Sequence, residues 1–325
     1  MKKNQIYITT GFQLLNTLEY LNFSGKMKDF NEVVVVGEYL TARKGVENIL
    51  KLHKWNNVIF LFPKWLLTIK NKLIRQILMN LWAKVRIDLI FDKKAALLLG
   101  SYHNLYCQYV FQKIENNNSI LLDDGSSSIE YGDTVILKRR LIEKIFGLKK
   151  TNIIPTFFFT AYKDILDRKG ISDVTLEENR YTYLRSLKQS QKTGSEVYFI
   201  GAPLVEQGYI KEEEYLEKIN KLKKLHKLIY VPHPREKHSK VAEIANSIFV
   251  LKTDVPFELY LVAQNELPKL IIGYHTSVIF NVNKLFGDKI PTNYIKLKDT
   301  GNLNYANKLI SKYEELDLIS SELKI

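Results

Sequence analysis

The chain has 325 residues, 46% of them hydrophobic, and a formal net charge of +13. Because a single core rarely serves more than roughly 250–300 residues, this length predicts two domains. The single cysteine, Cys107, excludes an internal disulfide and a thiolate zinc cluster and fits a reducing compartment. No uncharged apolar run reaches the roughly 20 residues of a membrane span, and no signal-peptide pattern precedes the first predicted strand, so we expect a cytoplasmic protein.

The first half of the chain alternates β-rich and helical segments. Strands are predicted at residues 5–10, 32–36, 57–62, 88–91 and 119–122. Helices are predicted at residues 13–21, 64–85 and 138–145. Continuous apolar strands, such as the four valines at 33–36, are typical of a parallel sheet that is covered on both faces. The alternation predicts a doubly wound α/β domain over residues 1–160.

The second half repeats this pattern after a change in composition. Residues 161–195 are polar and charged and lack a strand pattern, which predicts a helical linker with its helix over 176–191. Strands are then predicted at 196–200, 228–231, 248–251 and 269–272, and helices at 212–225 and 240–246. Residues 196–325 are therefore predicted to form a second α/β domain. Because open α/β sheets bind ligands at the carboxyl ends of their strands, the segments that follow each strand are the candidate sites.

An acidic pair follows the predicted strand at 119–122. Asp123 and Asp124 precede Gly125. Two carboxylates this close raise the pKa of one of them, which suits a general base. The same three residues are also typical of a tight turn after a buried strand, so both interpretations stay open on this motif alone.

A histidine between two prolines follows the predicted strand at 228–231. Pro232 and Pro234 restrict the backbone, so the imidazole of His233 can be aimed at a ligand, and Arg235 adds a positive charge beside it. An imidazole in this position can protonate a departing phosphate or donate a hydrogen bond to it. The same sequence also fits a rigid loop in which the histidine has no role in catalysis, so both interpretations stay open.

Two later segments suit the ribose and phosphate of a nucleotide. Glu258 lies in the first turn of a helix predicted to start after Pro256, where a carboxylate accepts ribose hydroxyls or complements the helix dipole. Thr276 and Ser277 follow Gly273 at another predicted helix start. Hydroxyls and backbone N–H groups there seat a phosphate, or serve only as an ordinary N-cap.

In chain order, these motifs resemble those of the bacterial sialyltransferases of GT-B fold, and in particular glycosyltransferase family 52, the lipooligosaccharide and capsule sialyltransferases. Asp123-Asp124-Gly125 resembles their D/E-D/E-G motif, His233-Pro234 their HP motif, and Thr276-Ser277 their Ser/Thr pair. The segment from Gly201 to Leu204 looks like a Gly-Gln-Pro-Leu segment of family 52, with Ala202 in place of the glutamine. The likeness covers residues 119–280, and the first hundred residues carry none of it.

The resemblance implies a fold and an activity. It implies two Rossmann-like domains with the active site in the inter-domain cleft, and inverting transfer of sialic acid from CMP-sialic acid to a galactose-type hydroxyl of a cell-surface glycan, with no metal and no cofactor. Asp124, or else Asp123, is implied as the base, with Glu206 as an alternative, and His233 assists the leaving phosphate. The implied donor-binding residues are Glu258, Thr276, Ser277, Pro234 and Gly201.

Two other functions stay open. A GT-B transferase that uses another nucleotide sugar, glucosyl or hexosaminyl, fits the same pattern. A nucleic-acid-binding protein would explain the charge of +13, but no helix-turn-helix, zinc-finger or aromatic RNA-binding signature is present, so no nucleic-acid partner is predicted. The predicted partners are a nucleotide-sugar donor and a glycan acceptor, which is lipid-linked in many such systems. A homodimer is compatible with the sequence.

The positive charge is concentrated near residues 48–87, which contain no Asp or Glu. Within residues 64–86, apolar residues recur every three or four positions, which predicts an amphipathic helix whose apolar side covers the first sheet. A second basic stretch lies at 138–146. Packing leaves the basic excess unexplained. The resemblance implies an enzyme that extends lipid-linked glycans, so we also expect peripheral contact with the anionic inner face of the cytoplasmic membrane. The basic residues of the first region are Lys51, Lys54, Lys64, Lys70, Lys72, Arg75, Lys84 and Arg86.

Overall fold

The computed structural model describes residues 2–114, 118–125, 127–131, 146–147, 154–188, 190–297, 314, 316–317 and 319–324. The chain forms two compact units. The first comprises Met1–Tyr183 with Asp254–Pro256, and the second comprises Leu184–Thr253 with Phe257–Ile325. Among the described residues, no helix is both long and apolar enough to cross a bilayer.

The first unit is built on a seven-stranded parallel sheet with the order β3-β2-β1-β4-β5-β6-β7. Its inner strands are buried almost throughout, which explains their continuous apolar sequences. The strand order reverses between β1 and β4, and the crevice at their carboxyl ends is where such sheets bind ligands. The strands are β1 Lys3–Ile8, β2 Phe30–Val35, β3 Asn57–Phe60, β4 Ala96–Leu99, β5 Ser119–Leu122, β6 Phe157–Thr160 and β7 Thr175–Glu178.

Side-chain caps fix where several helices of this unit begin. The Thr10 hydroxyl accepts the N–H of Gln13 at the start of α1, and the side chains of Asn71 and Asn104 accept backbone N–H groups at the starts of α4 and α5. Each cap satisfies donors that a helix start leaves without partners. The helices are α1 Gly11–Phe23, α2 Leu40–Leu50, α3 Lys64–Leu67, α4 Lys72–Ile90, α5 Leu105–Phe111, α6 Lys163–Arg168 and, at the boundary of the units, α7 Thr182–Leu187.

The second unit has a six-stranded parallel sheet with the order β11-β10-β9-β13-β14-β15. Its order reverses between β9 and β13. The strands are β9 Val197–Ile200, β10 Leu228–Val231, β11 Phe249–Val250, β13 Leu270–Gly273, β14 Thr292–Tyr294 and β15 Ser321–Glu322, with a separate pair β8 Lys192–Thr193 and β12 Glu266–Leu267. The helices are α8 Glu212–Leu225, α9 His238–Ala245, α10 Phe257–Val262 and α11 Ser277–Phe286.

The predicted α/β class and the two successive doubly wound sheets agree with this architecture. Several element predictions are wrong. Residues 88–91, predicted as a strand, continue α4 to Ile90, because the helical pattern runs on without a break. The strand in that part of the chain is β4, whose Ala-Leu-Leu-Leu sequence contains no β-branched residue and so lacks a strand signal.

The predicted helical linker at 161–195 is also corrected. Its middle forms β7, which pairs in parallel with β6 and extends the first sheet. The sequence Thr-Leu-Glu-Glu has helix-forming glutamates, but an edge strand is solvated on one side and tolerates them. Two short helices lie in this segment, Lys163–Arg168 and Thr182–Leu187, and the second is shorter than the helix predicted at 176–191.

The helix predicted at 64–85 forms as two helices, α3 and α4. Of its predicted apolar side, Leu66 is buried, whereas Leu73, Ile77 and Val85 are exposed. The side of α4 that packs on the core carries Met79, Asn80, Ala83 and Ile87. The expectation that the apolar stripe covers the sheet is therefore wrong for α4. The helix predicted at 138–145 lies outside the described residues.

Candidate active site

In the first unit, Asp124 follows β5 and is held by two uncharged donors. The Gln13 side-chain amide donates to its Oδ1 at 2.6 Å, and the Ser101 hydroxyl donates to its Oδ2 at 2.7 Å. Gln13 lies at the start of α1 after β1, and Ser101 follows β4. Three strand ends around the switch point thus converge on one carboxylate.

The backbone around Gln13 keeps its amide pointed at Asp124. The amide oxygen accepts the N–H of Thr9 at 2.6 Å, which leaves the NH₂ group to face the carboxylate. A Cβ at Gly100 would lie 2.6 Å from that amide oxygen and 2.9 Å from the Gln13 Cβ, so only glycine fits there. The close approach of the Gln13 side chain to the backbone at Gly100 explains why a glycine directly follows β4.

Burial raises the pKa of Asp124 above its ordinary value. The hydrogen bonds from Gln13 and Ser101 and the positive charge that His103 can carry oppose this effect but do not cancel it. The Asp124 residue is nevertheless partly exposed. A reachable carboxylate with a raised pKa is a stronger base than an ordinary aspartate and suits proton abstraction.

Asp123 occupies a different environment. Its side chain is fully buried, with Oδ1 accepting the Thr160 hydroxyl and Oδ2 accepting the Ala161 N–H, both at 2.6 Å. Its backbone carbonyl accepts the Asn16 amide at 3.3 Å. Asp123 therefore ties the end of β5 to the end of β6 and to α1, which is a scaffolding arrangement.

In the second unit, His233 follows β10, and hydrogen bonds hold both its imidazole ring and its backbone N–H. Its Nδ1 accepts the N–H of Arg235 at 3.1 Å, and its own backbone N–H donates to Glu236 Oε2 at 2.6 Å. Because Nδ1 accepts, the proton of the neutral imidazole is on Nε2. Burial, with the positive charge of Arg235, lowers the pKa of His233 to about 4. At neutral pH the ring is an uncharged Nε2–H donor.

A buried ionic network lies beneath this loop. The ammonium group of Lys240, on α9, contacts Glu236 Oε1 at 2.8 Å and Glu206 Oε2 at 3.1 Å, and the side chains of Lys240 and Glu236 are fully buried. The ammonium also lies 4.3 Å from the ring centroid of Tyr215. The Tyr230 hydroxyl donates to Glu236 Oε1 at 2.5 Å. Paired in this way, Glu236 anchors the His233 backbone.

Glu206 and Gly201 both contact residues of this network. Glu206 also accepts the N–H of Lys237 at 2.7 Å. Burial raises its pKa, but the hydrogen bonds from Lys237 and Lys240 outweigh that effect and leave the pKa lowered. A carboxylate with a lowered pKa is a weak base, so the geometry does not favour Glu206 as the alternative base. At Gly201, a Cβ would overlap the Glu236 carboxylate and lie 2.6 Å from the Tyr230 hydroxyl, which explains the glycine.

Glu258 lies in the first turn of α10 and is almost fully buried. Its Oε1 accepts the side-chain amide of Asn281, on α11, at 2.6 Å. Burial raises the pKa of Glu258, and the Asn281 hydrogen bond only partly offsets this. The bond joins α10 to α11 near the end of β13.

Thr276 and Ser277 start α11 directly after β13. The Thr276 hydroxyl is the N-cap and accepts the N–H of Val278 at 3.4 Å. Both residues are partly exposed, so the positive end of the helix dipole is open to an anion. One strand, β9, separates β10 from β13, so these two strands are roughly 10 Å apart, and the His233 loop and this helix start both follow the carboxyl end of the same sheet.

Several residues of both clusters carry no sequence motif. They are Gln13, Ser101, Glu236, Lys240 and Asn281, each of which binds a predicted site residue. Glu236, three residues after His233, was the one with a local signal, because a side chain at that spacing can cap the histidine N–H. Within the described residues, no group of three or more His, Cys, Asp or Glu is arranged to hold a metal ion.

Solved structures similar to this chain include three that contain UDP. The UDP-GlcNAc 2-epimerase of Methanocaldococcus jannaschii, in complex with UDP-GlcNAc and UDP, is 13% identical with a TM-score of 0.56, covering 99% of this chain and 88% of that one. MnaA of S. aureus with UDP is 12% identical with a TM-score of 0.53, covering 98% and 87%. UGT89C1 of Arabidopsis thaliana with UDP is 11% identical with a TM-score of 0.52, covering 98% and 86%.

These likenesses define the class: the fold is GT-B, with two Rossmann-like units. The profile of glycosyltransferase family 52 matches residues 67–299, which is more than two thirds of the chain. The chain therefore belongs to glycosyltransferase family 52, a sialyltransferase family, and the resemblance stated from the motifs is confirmed. No protein with a curated description matches the sequence.

Proposed function

We propose that the chain is an inverting, metal-independent sialyltransferase that moves sialic acid from CMP-sialic acid to a galactose-type hydroxyl of a cell-surface glycan. Membership of family 52 supports the donor. The observation that carries the chemistry is Asp124, a partly exposed carboxylate of raised pKa that Gln13 and Ser101 hold at the switch point of the first sheet. It supplies the base that such a transfer requires.

In the proposed reaction, Asp124 takes the proton of the acceptor hydroxyl as the hydroxyl oxygen attacks the anomeric carbon of sialic acid. The bond from that carbon to the CMP phosphate oxygen breaks, and its electron pair leaves with the phosphate. Gln13 and Ser101 donate to Asp124 without carrying charge, so they orient the carboxylate and lower its basicity less than a cation would.

The second unit is assigned to the donor. His233, neutral at pH 7 and protonated on Nε2, donates a hydrogen bond to the departing phosphate. Thr276, Ser277 and the amino end of α11 bind the same group. Loss of the imidazole should lower turnover by roughly two to four orders of magnitude. Glu258 is proposed to bind the ribose, with Asn281 orienting its carboxyl. Pro234 keeps the His233 loop rigid.

A second candidate is a GT-B transferase that uses a UDP-sugar, glucosyl or hexosaminyl. It is favoured by the UDP that the similar structures from Methanocaldococcus jannaschii, S. aureus and Arabidopsis thaliana bind. The fold serves either donor, since fold alone does not fix the substrate.

The decisive experiment offers the purified chain CMP-sialic acid, UDP-glucose, UDP-GlcNAc and a GDP-sugar in parallel, with a galactose-terminated acceptor, and measures product by mass spectrometry. We expect transfer from CMP-sialic acid alone, and the same rate in EDTA. Transfer from a UDP-sugar instead would establish the second candidate. A strict requirement for Mg²⁺ or Mn²⁺ would contradict the metal-independent mechanism.

A further inference from the structure

The ammonium group of Lys240, on α9, contacts one oxygen of each of two carboxylates in the second unit. It lies 2.8 Å from Glu236 Oε1 and 3.1 Å from Glu206 Oε2. The side chains of Lys240 and Glu236 are fully buried, whereas 13% of the Glu206 side chain is exposed. Because an ammonium group has three N–H donors, one lysine can serve both carboxylates at once.

The other oxygen of each carboxylate holds the backbone of the loop that carries His233. Glu236 Oε2 accepts the backbone N–H of His233 at 2.6 Å, and Glu206 Oε1 accepts the backbone N–H of Lys237 at 2.7 Å. These two N–H groups lie at the beginning and at the end of the loop of residues 233–237. The one ammonium group is therefore connected to both ends of the loop through the two carboxylates.

The backbone of this loop in turn holds the imidazole ring. The backbone N–H of Arg235 donates to His233 Nδ1 at 3.1 Å, and the backbone N–H of Glu236 donates to the His233 carbonyl at 3.0 Å. The bond to Nδ1 requires a neutral ring with its proton on Nε2. Its geometry depends on where the loop backbone lies, so the direction of the Nε2–H group depends on the two carboxylates that fix the loop.

Stability of the fold alone does not account for this ionic network. Removing charged groups from water costs free energy that their mutual attraction only partly repays, and apolar replacements of a buried ion pair are often as stable. Apolar side chains at positions 206 and 236 would, however, leave the backbone N–H groups of His233 and Lys237 without their acceptors. The network is therefore better explained by the loop that it holds than by the core in which it lies.

The ammonium group also affects the charge of the imidazole. Burial is the largest cause of the lowered pKa of His233, and the positive charges of Arg235 and Lys240 lower it further, whereas the carboxylate of Glu206 raises it. Glu236 binds the backbone N–H of the same residue. Without the ammonium group, we expect the ring to take up a second proton at a higher pH, and a proton on Nδ1 would break the bond from Arg235.

We propose that Lys240 is a positioning residue for His233, acting through Glu236 and Glu206, which hold the His233 loop at its two ends. Because the Lys240 side chain is fully buried, it acts on the reaction without contacting a substrate. This inference rests on the proposed function, since it takes His233 as the group that assists the departing phosphate. It assigns part of that role to a residue beneath the site.

The first test is Lys240→Met, which removes the ammonium group and keeps an unbranched side chain. We expect turnover with CMP-sialic acid to fall roughly a hundredfold, the effect of displacing a catalytic group by about 1 Å, and the KM for the donor to change much less. In an NMR titration of the full chain without substrate, the pKa of His233 should rise from about 4 toward 6.5. The His233 signal is identified by its loss in His233→Gln.

An exposed ion pair provides the matched control. Glu217 and Lys221, on α8, have the same spacing of four residues as Glu236 and Lys240, and their charged groups lie 3.2 Å apart on the surface. Lys221→Met should therefore leave both turnover and the pKa of His233 as they are in the parent chain.

A double variant tests whether Lys240 acts through Glu236. Glu236→Gln with Lys240→Met should lose no more turnover than Lys240→Met alone, because both changes interrupt one connection. This variant also removes the carboxylate that Lys240→Met leaves without its cation. If Lys240→Met does not fold, the double variant carries the titration, and its His233 pKa should again rise.

Three results would overturn the inference: parent turnover in Lys240→Met, losses that multiply in the double variant, or a His233 titration like that of the parent chain. The titration uses no sugar donor. A parent chain that transfers no sugar would therefore contradict the proposed function, while the titration would still show whether Lys240 controls the ring, so the two failures are distinguishable.

Discussion

Asp123 and Asp124 are adjacent in the chain, but different groups hold their carboxylates. Asp123 is fully buried and accepts Thr160 and Ala161, whereas Asp124 is partly exposed and accepts Gln13. Successive residues after a strand point in different directions, and this separates a structural role from a chemical one. The resemblance to a D/E-D/E-G motif does not by itself distinguish the two residues.

We therefore expect Asp124→Asn to lower turnover by at least roughly a hundredfold with little change in melting temperature or in CMP binding. The matched variant, Asp123→Asn, should instead lose about 1.5–3 kcal/mol of unfolding free energy, because charge-assisted hydrogen bonds to Thr160 and Ala161 are weakened. Turnover and thermal denaturation measured on both variants separate the roles. Full activity of Asp124→Asn would show that another carboxylate is the general base.

At the scale of elements, strong local patterns predicted the fold well. The strand Ser119–Leu122 and the helix Glu212–Leu225 were predicted with the bounds that the structure shows. Weak or misleading patterns failed for a physical reason. Strand Ala96–Leu99 is stabilised by burial between two neighbours and not by its own propensity, and strand Thr175–Glu178 by pairing with β6.

The same limit applies to the site. The rigid loop that carries His233 and the helix start at Thr276 were predictable as local structure, because prolines and an N-cap are local signals. Gln13 and Ser101 were not, because 111 and 23 residues separate them from Asp124 and only the sheet order brings them together. The network of Lys240 likewise depends on a tertiary contact with Glu206, 34 residues away.

The start of α11 gives a prediction that isolates the phosphate. Thr276→Val with Ser277→Ala removes two hydroxyls from this helix start, and loss of a hydrogen bond to a charged group costs about 1.5–3 kcal/mol. The affinity for CMP should then fall by roughly 10–100-fold, while the affinity for cytidine, which lacks the phosphate, should stay close to that of the parent chain. Calorimetry with the two ligands measures this. Equal losses for CMP and cytidine would place the phosphate elsewhere.

At the scale of the whole molecule, the buried site groups affect stability with opposite signs. The pKa of the Asp124 carboxyl is raised on folding, so the folded chain binds the carboxyl proton more tightly than the unfolded chain does. The stability that this group contributes is therefore lost as the pH rises through its pKa in the folded chain. The pKa of His233 is lowered from 6.5 to about 4, so the unfolded chain holds its proton more tightly. Between these two values, this histidine makes stability fall as pH falls.

The His233 effect leads to a measurable difference between one variant and the parent chain. His233→Gln removes the titrating group while keeping a side chain that hydrogen-bonds, so the fall in unfolding free energy between pH 6.5 and pH 4.5 should be smaller than in the parent chain. Urea denaturation at several pH values measures both slopes. Parallel curves for His233→Gln and the parent chain would show that the imidazole is solvated in the folded state, and its assignment as a neutral Nε2–H donor to the phosphate would then have to be withdrawn.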